Sequence, residues 1–174
     1  FTEAFYREVC DGSLAPVLRN MVATHKLGVE LEVMYVLVPT VTDDMEEIRA
    51  MAVWIRDNLG PDTPLHLIRY RPAFRMKNLP MTSLPVIRQA LQVTREAGLT
   101  FAVPYLIEGH SPDTLALEEF NTVKCPYCGK PLVRIQSKDG VPVTERNVVE
   151  GRCKWCNHKL RGFGGVTKPV PTAP

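Results

Sequence analysis

Apolar positions in the first hundred residues follow a repeating order of helix and strand. Residues 14–25 carry apolar side chains three and four positions apart, with Ser13 as a candidate N-cap and Gly28 as the stop, which predicts a helix. The next run, "VELEVMYVLVPT", is rich in apolar and β-branched residues, which predicts a strand largely buried on both faces and ending at Pro39. One helix and one strand therefore make the first unit.

The helix that follows has the clearest amphipathic pattern in the chain. It lies in "DDMEEIRAMAVWIRDNLGP", where Asp43 and Glu46 have the spacing of a capping box and Gly60 with Pro61 predicts the end. Its apolar stripe consists of Met45, Ile48, Ala52, Ile55 and Leu59. We expect this stripe to pack on a sheet.

The same order of elements then repeats. "LHLIRY" predicts a strand, "SLPVIRQALQVTREAG" a helix and "LTFAVPYLI" a further strand. The strands start near Leu31, Leu65 and Leu99, about 34 residues apart, which is the length of one strand–helix unit. Apolar strands that alternate with helices predict an α/β fold with a parallel sheet, helices outside it and right-handed crossovers. The spacing leaves open whether the sheet is an open, doubly wound one or part of a barrel.

The segment after the second strand is strongly cationic, and ligands of parallel α/β sheets bind at the carboxyl ends of strands. The cationic residues are Arg69, Arg71, Arg75 and Lys77, interleaved with Tyr70 and Phe74. Two interpretations are open: a pocket that binds carboxylate or phosphate through guanidinium forks, or a solvated loop whose arginine stems cover the sheet rim. We interpret His66 as a core histidine and His110 as part of a surface turn.

Composition narrows the class of protein. The chain has 174 residues, 45% of them hydrophobic, which is enough for one core and a small additional module. A formal net charge of +2 and the lack of a long apolar run argue against a nucleic-acid-binding or membrane protein. Four of the five cysteines form CxxC pairs rather than a disulfide framework, so we expect a soluble, cytoplasmic protein. We interpret the remaining cysteine, Cys10, as a small, half-buried apolar residue.

The two CxxC pairs lie in polar turns, "KCPYCGKPL" and "GRCKWCNHKL". Each pair is followed by a residue suited to positive φ, Gly129 or Asn157, and the stretch around "SKDG" between the pairs predicts a hairpin. Two such turns bridged by a hairpin predict a zinc ribbon, with His158 outside the ligand set. Four thiolates are the closed ligand set of a structural zinc site, or of rubredoxin-like iron. The expected metal ligands are Cys125, Cys128, Cys153 and Cys156.

Three stretches resemble the C-terminal portion of radical S-adenosylmethionine enzymes: "FTEAFYREVCDGSLAPVLRN", "VLVPTVTDDMEEIRAMAVWIRDNLGPDTPLHLIRYRPAFRMKNLP" and "EGH…CPYCGKPLVRI…GRCKWCNHKLRGFG". The resemblance is to the AmmeMemoRadiSam-system branch, itself similar to the pyruvate formate-lyase activating enzymes. It implies the C-terminal part of a partial parallel (βα) barrel at residues 1–123. A four-cysteine zinc ribbon would follow at residues 124–163, and a disordered tail at residues 164–174.

In that family an N-terminal CxxxCxxC motif holds a 4Fe–4S cluster, which cleaves S-adenosylmethionine to a 5′-deoxyadenosyl radical. This sequence has no such motif and begins without Met, so we expect it to be the C-terminal part of a longer enzyme and to carry no catalytic residue itself. The resemblance implies that Tyr35, Val36 and Val38 contact the adenosine. It also implies that Arg69 and Arg71 contact a carboxylate or the substrate.

Two alternatives remain open at this point. One is a zinc-ribbon binding module on an α/β scaffold, with a basic, aromatic face formed by Lys154, Trp155, Lys159 and Arg161. The low net charge favours a protein partner over nucleic acid for such a face. The other alternative is a rubredoxin-like electron carrier. For the radical enzyme, the expected partners are S-adenosylmethionine and a substrate that the sequence does not identify.

Overall fold

The computed structural model describes residues 1–105, 122–138 and 141–160. The helices are α1 (Glu3–Glu8), α2 (Leu14–Lys26), α3 (Met45–Leu59) and α4 (Leu84–Glu96), with a 3-10 turn at Phe74–Met76. The strands are β1 (Val33–Leu37), β2 (Leu65–Arg69), β3 (Ala102–Tyr105), β4 (Thr122–Lys124), β5 (Pro131–Lys138), β6 (Val141–Arg146), β7 (Val148–Val149) and β8 (Arg152–Cys153). The α-helices and strands alternate from α2 to β3, and the elements described after β3 are all strands.

The first three strands form one parallel sheet in the order β1, β2, β3. Val33 lies beside Leu65, and Leu65 beside Ala102, so the three strands begin at the same edge of the sheet. α3 connects β1 to β2 and α4 connects β2 to β3, as the repeat predicts. The prediction of a mixed α/β fold with a parallel sheet is confirmed.

The main core lies between one face of this sheet and the helices α3 and α4. The predicted stripe of α3 is buried there, except that Met45 is only partly buried. The sheet contributes Leu37, Leu65 and Leu67, each fully buried. Because full burial of one leucine side chain is worth about 1.5–3 kcal/mol, this contact is a major source of stability for the α/β part.

The opposite face of β1 is open, so the prediction of a strand largely buried on both faces is wrong. Met34 is 59% exposed and Val36 39% exposed, and strand alternation places both on the face opposite to Leu37. The amphipathic helix α2 likewise has no buried residue. Among the described residues β1 pairs only with β2, and Met34 and Val36 on this face stay partly exposed, so the apolar pattern of β1 exceeds its burial.

The start of α3 corrects one prediction. Its N-cap is Asp44, whose carboxylate accepts hydrogen bonds from the N–H groups of Glu46 and Glu47. Asp43, the predicted cap, instead accepts a hydrogen bond from the N–H of Thr40 in the preceding loop. The helix therefore begins one residue later than the capping-box spacing predicts.

Residues 122–160 form a second unit, here called the cysteine module. β4, β5 and β6 make an antiparallel sheet in which β5 and β6 are the arms of the predicted hairpin, and β7 pairs with β8. The buried core of the module contains Cys125, Leu132, Cys153, Leu160 and also Phe101, the residue before β3. The module is therefore attached at the amino edge of the parallel sheet.

Several predicted features lie outside the described residues, among them His110, the turn at residues 139–140, Arg161 of the predicted basic face and the tail at residues 164–174. Cys10, predicted to be half buried, is exposed, because α1 contributes no buried residue. His66 is partly buried and lies 2.8 Å from a carboxylate oxygen of Glu32. No helix among the described residues has both the length and the apolar character needed to cross a membrane.

Candidate metal centre

The two CxxC sequences form turns with the same backbone hydrogen bonds. In each turn the N–H of the first cysteine donates to a carbonyl beyond the second cysteine, and its own carbonyl accepts from the residue that follows the second cysteine. The partners are Lys130 and Gly129 for Cys125, and His158 and Asn157 for Cys153. Gly129 and Asn157 have φ of +71° and +58°, as their positions predict. Each turn thus brings its two sulfurs to one side.

Each turn also carries an aromatic residue that packs on the other turn. Tyr127 of the first turn stacks on His158 of the second, with 3.3 Å between the ring centroids. Trp155 of the second turn donates from Nε1 to the Pro131 carbonyl (3.4 Å), and the Lys130 ammonium lies 4.8 Å from its ring centroid. Each turn therefore covers part of the other.

The four sulfur atoms converge on one point. All lie within 4.8 Å of one another, and the pairs Cys125–Cys156 and Cys128–Cys153 are each 3.7 Å apart. A disulfide needs about 2.05 Å between sulfurs, so these cysteines are free. In a tetrahedral site with metal–sulfur bonds of about 2.3 Å, neighbouring sulfurs are about 3.8 Å apart. The observed spacing is therefore suited to a zinc or iron ion held by four thiolates.

The electrostatics of the cluster favour a bound cation. Burial raises the pKa of Cys125 to about 12, despite hydrogen bonds from two backbone N–H groups of its turn. Burial also opposes ionisation of Cys153, but hydrogen bonds from the N–H groups of Cys156 and Trp155 and from the thiols of Cys156 and Cys125 together outweigh burial and lower the pKa to about 7. Ionisation of Cys153 is thus favoured over that of Cys125, while further negative charge close to the Cys153 thiolate is opposed. A metal cation would relieve this repulsion and displace the remaining protons.

The site is closed on one side and open on the other. Cys125 and Cys153 are each 1% exposed and pack against Phe101 and Leu132, whereas Cys156 lies at the surface. Four thiolates fill every position of a tetrahedral metal. Such a closed ligand set is typical of a structural site, because a catalytic metal keeps a position for water or substrate.

Three of the five residues predicted to contact the cofactor lie at one cavity. Tyr35, Val36 and Val38 border a mainly apolar cavity of about 310 Å³ between β1 and the helices α1 and α2. The Arg69 side chain lies elsewhere, on the helix-covered side of the sheet, and its Nε donates to a loop carbonyl at 2.8 Å. Arg71 is exposed beyond the end of β2. Contact of these five residues with a cofactor stays a prediction.

Sequence reasoning misses two buried threonines at the carboxyl edge of the sheet. The Thr42 hydroxyl accepts from the N–H of Val38 (2.8 Å) and donates to the carbonyl of Val36 (2.6 Å). The Thr82 hydroxyl accepts from the N–H of Tyr70 (2.9 Å) and donates to the last carbonyl of β1 (2.5 Å). Both fix the loops that follow the strands. Their segments, "PTVTDD" and "PMTSLP", show turn propensity but give no sign of burial.

Comparison with known proteins places this geometry in context. No protein-family model matches the chain. The chain is similar to the uncharacterized protein MJ0808 of Methanocaldococcus jannaschii, with 30% identity over 156 residues, which is 90% of this chain and 44% of that protein's length. It is also similar to the crystal structure of a domain of pyruvate-formate lyase-activating enzyme from Bacteroides vulgatus, with a TM-score of 0.53 and 17% identity over 60% of this chain and 62% of that one. The chain therefore has an α/β fold similar to that of the activating-enzyme domain, together with a cluster of four cysteines able to hold a metal.

Proposed function

We propose that this chain is the C-terminal part of a radical S-adenosylmethionine enzyme of the AmmeMemoRadiSam-system type. Residues 1–123 would be the last strand–helix units of a partial parallel (βα) barrel. The observation that carries the proposal is the fold, a parallel sheet with α3 and α4 on one face, similar to the activating-enzyme domain. The sequence stretches quoted above support the finer assignment within the family.

Two features of β1 support a place within a larger sheet. Among the described residues its outer edge has no partner strand, and Met34 on its open face is 59% exposed. The cavity of about 310 Å³ lies beside the same strand. A further parallel strand from a preceding part of the polypeptide would satisfy the free backbone edge of β1. MJ0808, of which this chain spans 44%, is long enough to include such a part.

Within such an enzyme these residues would bind and shield rather than generate the radical. The 4Fe–4S cluster with S-adenosylmethionine, when bound, supplies the hydrogen-abstracting chemistry. Cys125, Cys128, Cys153 and Cys156 face one another across two turns and lack the CxxxCxxC spacing. We therefore do not assign the 4Fe–4S cluster to these four cysteines. Tyr35, Val36 and Val38 would form an apolar wall that excludes water. Arg69 and Arg71 would contribute positive charge near a carboxylate.

The four cysteines would hold a structural metal, Zn²⁺ or iron, in a zinc ribbon at residues 124–163, followed by the tail at residues 164–174. The sulfur spacing of 3.7 Å and the closed set of four thiolates support this role. Free cysteines, with no disulfide among the described residues, fit the proposed cytoplasmic location.

The enzyme assignment is tested on the full-length polypeptide that contains this chain, purified without oxygen and reduced chemically. We expect it to form 5′-deoxyadenosine and methionine from S-adenosylmethionine, measured by chromatography. A polypeptide that lacks three clustered cysteines before residue 1, or that forms no 5′-deoxyadenosine, would contradict the assignment.

The metal assignment is tested separately on the 174-residue chain. We expect one zinc ion per chain, retained in Cys10→Ser and lost in Cys125→Ser, because Cys10 lies outside the cluster. Iron in place of zinc, with a visible spectrum that changes on one-electron reduction, would favour the rubredoxin-like electron carrier. Absence of any metal at the four cysteines would contradict the site.

A second candidate function is the binding of an anionic partner by the cysteine module. Lys and Arg outnumber Asp and Glu eight to three in residues 122–160. Trp155 is 47% exposed, with the ammonium groups of Lys130 and Lys154 at 4.8 and 5.5 Å from its ring centroid. Binding to heparin or single-stranded RNA should weaken with salt. It should be lost in Lys130→Glu/Lys154→Glu and kept in the control Arg19→Glu/Lys26→Glu on α2; equal binding by both would exclude this function.

A further inference from the structure

We infer that the four-cysteine centre stabilises the parallel sheet from its amino edge, and that Phe101 transmits metal occupancy from the cysteine module to the α/β part. This role rests on the metal site proposed above. In this role the metal stabilises the parallel sheet without contacting a substrate or a cofactor.

Phe101 belongs to both units at once. Its side chain is 3% exposed and packs with Cys125, Cys153 and Leu132 in the core of the module. Its backbone carbonyl accepts a hydrogen bond from the N–H of Leu65 (2.8 Å), at the start of β2. Among the described residues, Phe101 is the one member of this buried core that comes from the α/β part. The sheet therefore holds its backbone and the metal ligands surround its ring.

A second contact acts on the same edge. The Tyr127 hydroxyl donates to Asp62 Oδ2 at 3.4 Å, and Asp62 lies in the turn between α3 and β2. The N–H of Thr100 donates to the carbonyl of Pro61 (2.9 Å), which links that turn to the residue before Phe101. Both contacts thus meet the few residues from which β2 and β3 start.

Beside these contacts the two units are separated by a cleft. A cavity of about 390 Å³ lies between residues 100–104 and residues 122–126, and β3 and β4 belong to different sheets. The attachment is therefore narrow, and its apolar part depends on the shape of the pocket around Phe101. That shape depends in turn on Cys125 and Cys153, two of the four sulfur donors that a shared ion would join.

The position also separates the metal from the predicted cofactor contacts. β3 has four residues, so Ala102 at its amino end and Tyr105 at its carboxyl end are about 10 Å apart at about 3.3 Å per residue. Val38, Arg69 and Arg71 lie at the carboxyl edge and Phe101 at the amino edge. An ion at the four sulfurs can therefore influence the sheet through packing, without touching those residues.

The two tryptophans allow a test in the whole chain, because Trp54 lies in α3 and Trp155 in the cysteine module. The variant Trp155→Phe reports the α/β part through Trp54 fluorescence, and Trp54→Phe reports the module through Trp155. Metal content is measured in each. We expect chelation to loosen the module and to lower the thermal midpoint seen by Trp54 by about 5 °C or more.

Phe101→Ala, made in the Trp155→Phe chain, should remove most of this response to chelation. Phe74→Ala is the matched control, since Phe74 is 85% exposed and follows β2 at the opposite edge, and it should keep the full response. If Phe101→Ala does not fold, Phe101→Leu keeps an apolar side chain and should show a reduced response.

The outcomes separate this role from the metal site itself. If chelation leaves the thermal midpoint measured by Trp54 unchanged while Trp155 reports a loosened module, the role of Phe101 is overturned. That result does not contradict the metal site. An equal response in Phe101→Leu and Phe74→Ala also overturns it. A chain that takes up no metal contradicts the site proposed above.

Discussion

Thr82 shows how one buried residue can fix the end of two strands. Its hydroxyl donates to the carbonyl of Leu37 and accepts from the N–H of Tyr70, and its own N–H donates back to the Tyr70 carbonyl (3.2 Å). Its carbonyl accepts from Arg69 Nε. With all its polar groups paired and no exposed surface, this threonine joins β1 and β2 at the carboxyl edge.

Thr82→Val should therefore destabilise the α/β part by about 1–3 kcal/mol, because it leaves a buried carbonyl and a buried N–H without partners. The measurement is urea unfolding followed by Trp54 fluorescence in the Trp155→Phe chain. Thr82→Ser keeps the hydroxyl and should lower the free energy of unfolding by less than Thr82→Val does. Thr144→Val, at an exposed position of β6, should change little; a loss there as large as in Thr82→Val would contradict the explanation.

The thiol pKa values predict how many protons metal binding releases. The pKa of Cys153 is lowered to about 7, so this thiol is protonated at pH 6 and mainly ionised at pH 8, whereas the pKa of Cys125 is raised to about 12 and that thiol carries a proton at both. Zinc must displace every remaining proton. We expect about one proton fewer to be released at pH 8 than at pH 6, measured by calorimetry in buffers of different ionisation enthalpy. Equal release would contradict the lowered pKa of Cys153.

At the scale of elements, the cysteine turns were predictable because their determinants are local. Gly129 and Asn157 stand where the turns need positive φ, and the hairpin between the turns has its own signals. α3, with its continuous stripe, was predictable for the same reason. The burial of β1 was not predictable, because an apolar pattern shows which residues favour burial but does not show which layer covers them. In "LTFAVPY" nothing distinguishes Phe101 from the other apolar residues. The local sequence therefore does not indicate that Phe101 packs in the core of the cysteine module.

Gly129→Ala should weaken zinc binding about tenfold, because an L-residue at φ +71° costs about 1–2 kcal/mol. No atom lies within 4 Å of the added Cβ, so backbone strain alone acts. Competition with a chromophoric chelator measures the affinity. Gly28→Ala is the matched control: φ is +75°, nothing lies within 4 Å, and the residue follows α2. It should cost stability without changing zinc affinity, and an equal change of affinity in both variants would refute the local explanation.

At the scale of the whole molecule, two units share one chain but keep separate sheets. The parallel sheet leaves an apolar face and an edge of β1 uncovered among the described residues, whereas the cysteine module closes around its own core. The alternation of helices and strands predicted the first unit as a fold class. It could not predict the exposure of one face of β1, because the alternation shows which side chains share a face and not what packs on that face.

The outer edge of β1, which has no partner strand among the described residues, should make the isolated 174-residue chain self-associate, since a free strand edge beside exposed Met34 and Val36 favours pairing between copies. Light scattering coupled to gel filtration should show a mass that grows with protein concentration. Val36→Lys should reduce the association, because it places a charge on the open face. Val149→Lys, at a residue 57% exposed in the cysteine module, serves as control and should leave the association unchanged. If Val149→Lys and not Val36→Lys reduced the association, the contact between copies would not involve the open face of β1.

The neighbouring residues 101 and 102 contribute to two different hydrophobic cores, Phe101 to that of the cysteine module and Ala102 to that of the sheet. A chain truncated before residue 122 would therefore expose the Phe101 ring to solvent. A peptide of residues 122–160 would lack one wall of its interior, even when loaded with zinc. Neither unit is an independent module in the way that a zinc finger is. A chimera of related proteins that exchanges the four cysteines would also have to include this phenylalanine.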